Sequence, residues 1–473
     1  MALSDVNILI KDGGLGIQPS SGTGTHAKIG VSSAGTIGEI VSVTEGDQIA
    51  GKFGTGPLAN ALADSYMTGS RYMYTVRAEG DVSGSIGQIT ASKSGTGTFA
   101  VTGIPLDEYD VIVKIIDTGR FNSATFQYSL DGGDTYSKLI TVPAGNGEYT
   151  VSGTGLKFTF TEGQDEPQNS FRAGDKFAFK TVAPTASVSS INAAIDALFE
   201  SKYTFEGIHI VGISSASLWA ALAARADEAE SRFRYLYFLA EARGLDPNET
   251  VDTWVNALLT SGSGFSHPRV GVCAGRLEIS DYFTGRVIER NGAGIFGGRV
   301  MKCKVMESAG KVMLGSLPGV VSLRPVGLNS GHIAALDEGR FITFREYEGL
   351  NGQYVTDFRL MASVVSDYQY GEYRRVMDKA CRAVRIAGLR YKNAEASDNG
   401  LNDFEAYLRQ PLNIMSSPDV GEITAGRVII PRDQDILATS KLRVKVRIQP
   451  VGIMRDIEIE IGMENPYLTG GTA

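Results

Sequence analysis

The chain is poor in the residues that staple or metallate small folds. Its 473 residues include three cysteines, Cys273, Cys303 and Cys381. These are too few and too scattered for a disulfide framework or a zinc cluster, and they read as reduced thiols of a chain that folds in a cytoplasm. Histidine is almost as scarce: His26, His209, His267 and His332. No two of them lie within one helical turn, so no metal-ligand pair is readable, and the expectation is that no cofactor or metal is held. No stretch approaches the roughly 18 apolar residues of a membrane span. The opening Met-Ala-Leu-Ser-Asp lacks the basic flank and apolar core of a signal peptide. A basic excess is missing as well: Lys and Arg total 45 against 53 Asp and Glu, a net charge of −8, which argues against a nucleic-acid partner.

Glycine is plentiful, 57 of 473 residues, well above the usual share of about 7%. The length fits two to four domains at roughly 100–200 residues each. Val6, Ile8 and Ile10 alternate with Asn7 and Lys11 near the N-terminus, a pattern blurred by Leu9, and read as an extended arm, followed by the glycine-rich Gly13–Gly16. Ile37 to Val43 is strand-like, and Pro57 opens a helix, where the missing proline N–H costs nothing. Residues 83–181 are rich in Gly, Ser and Thr, with short alternating runs at 111–116, 125–130, 156–161 and 176–180 and turn signals such as Asp131-Gly132-Gly133 between them. This pattern predicts an inserted all-β sandwich or barrel. From 188 to 275 helical and strand segments alternate, which predicts a parallel sheet covered by helices.

Further on, 299–306 and 341–346 read as strands. A basic helix ends near 392, and a second helix over 402–415 is interrupted by Pro411. Lys441-Leu-Arg-Val-Lys-Val-Arg-Ile448 alternates strictly, with Lys441, Arg443, Lys445 and Arg447 on one face and Leu442, Val444, Val446 and Ile448 on the other. Asp456-Ile-Glu-Ile-Glu-Ile461 alternates too, with an acidic face of Asp456, Glu458 and Glu460. Opposite charges across a ladder stabilise by about 0.2–1 kcal/mol per pair. The two segments can meet as a hairpin within one chain or as strands of neighbouring subunits.

Two motifs resemble nucleotide-binding loops and fail in context. Gly46-Asp-Gln-Ile-Ala-Gly51-Lys52 approaches a P-loop, but Phe53 replaces the Mg²⁺-holding Ser/Thr, and Gly54 and Gly56 delay the helix that should follow. Gly292-Ala-Gly294-Ile-Phe-Gly297 matches G-x-G-x-x-G, but the residues after it read as a strand rather than the required helix. There is no G-x-S-x-G elbow, and no spacing singles out an acid/base pair. The basic helix could contact an acidic surface or be a solvated face.

Two stretches carry a family resemblance. Val43 to Phe53, Gly54-Thr-Gly-Pro57 and the helix to Leu62, followed by Tyr72 to Arg77, form one. Leu336-Asp-Glu-Gly-Arg340-Phe-Ile-Thr-Phe-Arg345 through Tyr354, then Ser366-Asp367-Tyr368 and Arg375 to Lys379, form the other. Together they resemble contractile tail sheath proteins of bacteriophages and phage-derived contractile injection particles. The resemblance covers both ends and the α/β middle but not 83–181.

It implies an α+β multidomain chain: an N-terminal arm over 1–20, an α/β sheath core over 21–82 with 182–350, the inserted β domain over 83–181, and a C-terminal α+β domain over 351–473 with a terminal arm from about 453. It further implies a structural, non-enzymatic subunit that polymerises helically with itself around an inner tail tube protein. Baseplate and tail terminator proteins would be further partners, without nucleic acid or membrane insertion, in a virion tail or contractile particle assembled in the bacterial host cytoplasm. In that family each arm adds a strand to a neighbour's C-terminal domain. Val6, Ile8 and Ile10 would form one arm strand, and Asp456 to Ile461 the other. Lys441 to Ile448 would belong to the receiving sheet, and Arg374, Arg375, Lys379 and Arg382 would face the tube. Two readings compete. One is an α/β enzyme with an accessory carbohydrate-binding β domain, which needs a convergent polar site at the strand ends near Ser214, Ser215, Ser217 and Glu241. The other is a cell-surface adhesin, which the lack of a signal peptide opposes.

Overall fold

A computed structural model describes residues 23–463 apart from Arg71, Asp165 and Pro247. The chain divides into two compact units at Lys392/Asn393. The first is built on a six-stranded sheet in the order Val270–Cys273, Tyr237–Glu241, Gly207–Ile213, His26–Gly30, Met73–Arg77, Ile40–Val43. Every neighbouring pair is parallel except the last, which is antiparallel. The strands are short apolar runs because both faces are covered. His26–Gly30 comes first among the described strands yet lies inside the sheet. The chain builds one side from it, then the other, so the winding direction reverses between His26–Gly30 and Gly207–Ile213.

The covering helices follow from local signals. Pro57 occupies the first turn of Pro57–Thr68, which buries Leu58 and Leu62. Ser187 caps Val188–Glu200, its side chain accepting from the Ser190 amide, and Ile191, Ile195 and Leu198 form the inner stripe. Ala216–Ser231 and Val251–Ser263 bury Trp219 and Trp254 against the same core.

Residues 83–181 form two antiparallel sheets. One holds Glu148–Val151, Leu156–Thr161 and Thr98–Gly103; the other holds Lys176–Val182, Asp110–Asp117, Thr125–Ser129 and shorter edge strands. Val113, Phe126, Phe158, Phe160 and Phe177 share one core between the sheets. Chain entrance and exit are tied together. Val82 bridges Thr185, and the Asp81 carboxylate accepts from the Ser187 amide at 2.7 Å and the Ser190 hydroxyl at 2.9 Å.

Three sequence expectations are corrected. Residues 299–306 are not strand: 299–302 end a helix, Ala293–Lys302, and 303–306 lie in no helix or strand. Its glycines allow close contact with Pro57–Thr68: a Cβ on Gly294 would lie 2.9 Å from Asp64 Cβ, and one on Gly298 2.5 Å from the Ser65 carbonyl oxygen. The G-x-G-x-x-G run thus serves helix packing, after a strand of an antiparallel hairpin rather than a parallel one. The failed P-loop is itself helical, Asp47–Phe53, and stops at Gly54 with φ 66°. In the second unit, Asp398–Met415 runs through Pro411 without a break. The lost N–H is tolerated because Leu401, Leu408, Leu412 and Met415 remain on one buried stripe.

Candidate subunit-assembly surface

In the second unit, Ile423–Ile429 pairs antiparallel with Lys445–Pro450, in the register Arg427 to Arg447, Val428 to Val446 and Ile429 to Lys445. A Cβ on Gly426 would lie 2.7 Å from Leu412 Cβ, so glycine lets the strand settle onto the Asp398–Met415 helix. The sheet has two strands among the described residues. Each strand therefore has an outer edge whose N–H and C=O groups can template another strand.

The basic stretch 441–448 keeps its alternation. Lys441, Arg443, Lys445 and Arg447 are exposed, while Leu442, Val444, Val446 and Ile448 are half-buried. Strand pairing starts only at Lys445, however. Before it, the Gln434 side chain takes the place of a partner strand, accepting from the Arg443 amide at 2.7 Å and donating to the Arg443 carbonyl at 2.9 Å.

The acidic stretch does not pair with the basic one, whose partner is Ile423–Ile429. Residues 451–463 lie in no helix or strand. Asp456, Glu458 and Glu460 are exposed. Ile457, Ile459 and Ile461 are 69%, 73% and 89% exposed. Burying an isoleucine side chain stabilises by roughly 1.5–3 kcal/mol. A strand-patterned segment with three such side chains in water is therefore unsatisfied in the isolated chain. Val6, Ile8 and Ile10 lie outside the described residues.

The basic helix, Gly371–Leu389, corrects the reading of its arginines as a surface stripe. Arg375 is 1% exposed and pairs with the equally buried Glu206 at 2.8 Å. It also donates to the carbonyls of Lys304 and Cys303. Arg374 is buried, bonded to Asp378 at 2.6 Å and set over the Tyr368 ring. Asp378 in turn takes the buried Arg269 at 2.8 Å. Arg382 donates to the Tyr235 carbonyl at 3.0 Å, and Lys379 is half-buried. The other face of this helix is charged because it meets charge in the interior.

A second internal polar group has little sequence signal. Lys28, fully buried, donates to His209 Nδ1 at 2.8 Å, and His209 Nε2–H donates to Glu241 at 2.8 Å. Burial draws the Lys28 amine down to about 7 and pushes the Glu241 carboxyl up to about 7. Desolvation holds His209 well below its ordinary value, which fixes it neutral, accepting on one ring nitrogen and donating from the other. His209 is thus a core residue as its strand context implies, but in a polar layer of the core. Glu241 opens onto a crevice of about 150 Å³ at the carboxyl ends of the parallel strands. That is where the enzyme reading wants its site. The lining contains carboxylates, arginines and asparagines but no serine, cysteine, histidine or lysine, and Ser214, Ser215 and Ser217 are not part of it. Ser214 instead accepts from Trp219 Nε1 and donates to the Glu241 carbonyl. Among the described residues no cluster of His, Cys, Asp and Glu could hold a metal ion, and no helix is long and apolar enough to cross a membrane.

Comparison with known proteins places this architecture. One relative, named as a tail sheath protein of Haemophilus phage HP1 (strain HP1c1), is 26% identical over 192 residues, 37% of this chain and 51% of that protein. The match thus spans about half the length of that relative. Among solved structures, the fold aligns with the sheath complex of an extracellular contractile injection system, PVC, in its contracted state, at a TM-score of 0.55 and 10% identity over 98% of this chain and 99% of the other. It also aligns with a chain of the contracted anti-feeding prophage baseplate, at 0.53 and 11% over 99% and 98%. At such identity these two likenesses speak for a shared α+β multidomain fold. The family models for the DUF2586 N-terminal domain and the DUF2586 C-terminal domain match residues 3–359 and 367–468, nearly the whole chain, which therefore belongs to the DUF2586 family.

Proposed function

We propose that this chain is the sheath subunit of a contractile tail, polymerising helically with itself around an inner tube and contracting to drive that tube through a cell envelope. The observation that carries the reading is the pairing of unmet needs in the second unit: a two-stranded sheet with open edges and an exposed, strand-patterned segment with no strand partner among the described residues. A neighbouring copy satisfies both. Main-chain bonds supply affinity and the alternation of Ile457, Ile459 and Ile461 supplies register. The acidic row Asp456, Glu458, Glu460 meets the exposed basic row that includes Lys445 and Arg447. Residues 6–10 serve as the second added strand. Such a contact is heterologous and builds an open helical array rather than a closed dimer.

The role is structural rather than catalytic. An inner tube protein, a baseplate and a terminator complete the particle, whether a virion tail or a headless device, assembled in the bacterial host cytoplasm. Tube contacts fall on residues other than Arg374 and Arg375, whose charges are neutralised inside the first unit.

Negative-stain electron microscopy of the purified protein at high concentration tests the reading. Hollow helical tubes are expected from the full chain, and a folded monomer that forms none from a variant lacking residues 1–14. Tubes of normal length from that truncation overturn the arm mechanism.

A further inference from the structure

The two-stranded sheet of the second unit pairs Arg427 with Arg447, Val428 with Val446 and Ile429 with Lys445. Extended by two residues, that register places Pro431 opposite Arg443. In an antiparallel ladder a hydrogen-bonded pair exchanges two bonds, each residue donating its N–H and accepting on its C=O. Pro431 has a carbonyl to offer but no N–H. The backbone ladder therefore cannot close on Arg443 from this side, and the strand begins at Lys445.

Gln434 supplies both missing bonds. Its Oε1 accepts from the Arg443 amide at 2.7 Å, and its Nε2 donates to the Arg443 carbonyl at 2.9 Å and to the Pro431 carbonyl at 2.8 Å. One side-chain amide thus sits between the two residues and does the work of the peptide group that proline lacks. The loop that carries it is anchored on either side. Arg432 donates to Asn402 Oδ1 at 2.6 Å, and the Asp435 carboxylate caps Ile436–Thr439 by accepting from the Ala438 amide at 2.9 Å.

The arrangement sets which backbone groups are left for a partner. Successive residues of a strand turn their N–H and C=O to opposite edges. With the Arg443 groups held by Gln434 on the Pro431 side, those of Leu442 and Val444 turn to the outer edge. Exposed and half-buried side chains alternate without a break from Lys441 to Ile448, as they do along an extended strand. Charge gives the added length a use. Within the paired stretch Lys445–Pro450 only Lys445 and Arg447 are basic, whereas the acidic row has three members, Asp456, Glu458 and Glu460. Arg443 is the nearest further cation of the same row.

We propose that Gln434 is a positioning residue for assembly: it holds 441–444 in strand form, closes their inner side, and so lengthens the outer edge that receives the Asp456–Ile461 segment of a second copy. The inference rests on the sheath-subunit reading and names the residue that shapes its receiving edge.

The test compares the full chain with Gln434→Ala and with Pro431→Ala, Gln434→Ala combined, which returns an N–H to the position opposite Arg443. Hydrogen exchange on dilute, unassembled protein reads segment 441–444, and sedimentation reads the concentration at which polymer forms. In Gln434→Ala the segment exchanges faster and that concentration rises about tenfold, the scale of one or two hydrogen bonds. The double variant moves both readings back toward the parent. Thermal unfolding of each variant separates a changed edge from a lost fold. Parent-like exchange in Gln434→Ala, polymer at the parent's concentration despite faster exchange, or a double variant no better than the single one overturns the proposal. A parent chain that forms no polymer overturns the sheath reading itself, a result distinct from a parent that polymerises and a variant that matches it.

Discussion

Arg374-Arg375 on one helix and Lys445–Arg447 on one strand look alike as sequence: short basic runs interleaved with apolar residues. Their surroundings are opposite. Arg375 is sealed against Glu206, 169 residues earlier in the chain, whereas Lys445 and Arg447 stand in water on the outer face of a two-stranded sheet. The difference is one of range. A period-2 alternation fixes its own exposed face, because strand geometry alone sends successive side chains to opposite sides. A helix in a multilayered unit can have a second packed face, and whether its charges are internal depends on what other elements bring to it.

Breaking this contrast has graded consequences. Arg375→Ala strands Glu206 in the interior and is expected to cost about 3–5 kcal/mol in chemical denaturation of the monomer; an unchanged midpoint would place the arginine's charge outside after all. Next comes Gly298→Ala, which drives a methyl into the Ser65 carbonyl and should lower stability by about 1–3 kcal/mol without touching assembly residues. Lys445→Glu with Arg447→Glu leaves the monomer intact but weakens assembly by about 0.2–1 kcal/mol per charge pair, more so at low salt, and Asp456→Lys with Glu458→Lys should restore it. Sedimentation at two ionic strengths reads both. The smallest effect on the monomer, within about 0.5 kcal/mol, belongs to Ile457→Ser, Ile459→Ser and Ile461→Ser combined, because these side chains already lie in water. The same triple change abolishes pelletable polymer; tubes that survive it would detach the exposed isoleucines from assembly.

Much of the fold was legible where periodicity is local. The strand Leu156–Thr161 coincides with its expected bounds, and Val188–Glu200 and Gly207–Ile213 fall in the region expected to alternate helix and strand from 188 to 275. The helix Ala293–Lys302 was not, since its glycine content suits a strand or loop until the Pro57–Thr68 helix is known to lie against it. The receiving strand was overlong by four residues, 441–444, among which Arg443 has the Gln434 side chain as its partner rather than a backbone. The Lys28–His209–Glu241 chain was invisible, because its members sit on three strands far apart in sequence. A lysine amid the apolar run His26–Gly30 is the one local hint, since a charge in a doubly covered strand demands a buried partner.

The tie at the root of the inserted domain has a practical consequence. Because Val82 and Thr185 are held as bridge partners and Asp81 staples Ser187 and Ser190, the host sheet is closed off before the insertion begins. At this junction the host asks of whatever lies between them that its two ends be close together. A foreign module with adjacent termini can be spliced at this point in place of residues 83–181, which would turn each copy of the chain into a display position and a polymer of such copies into a regularly decorated scaffold.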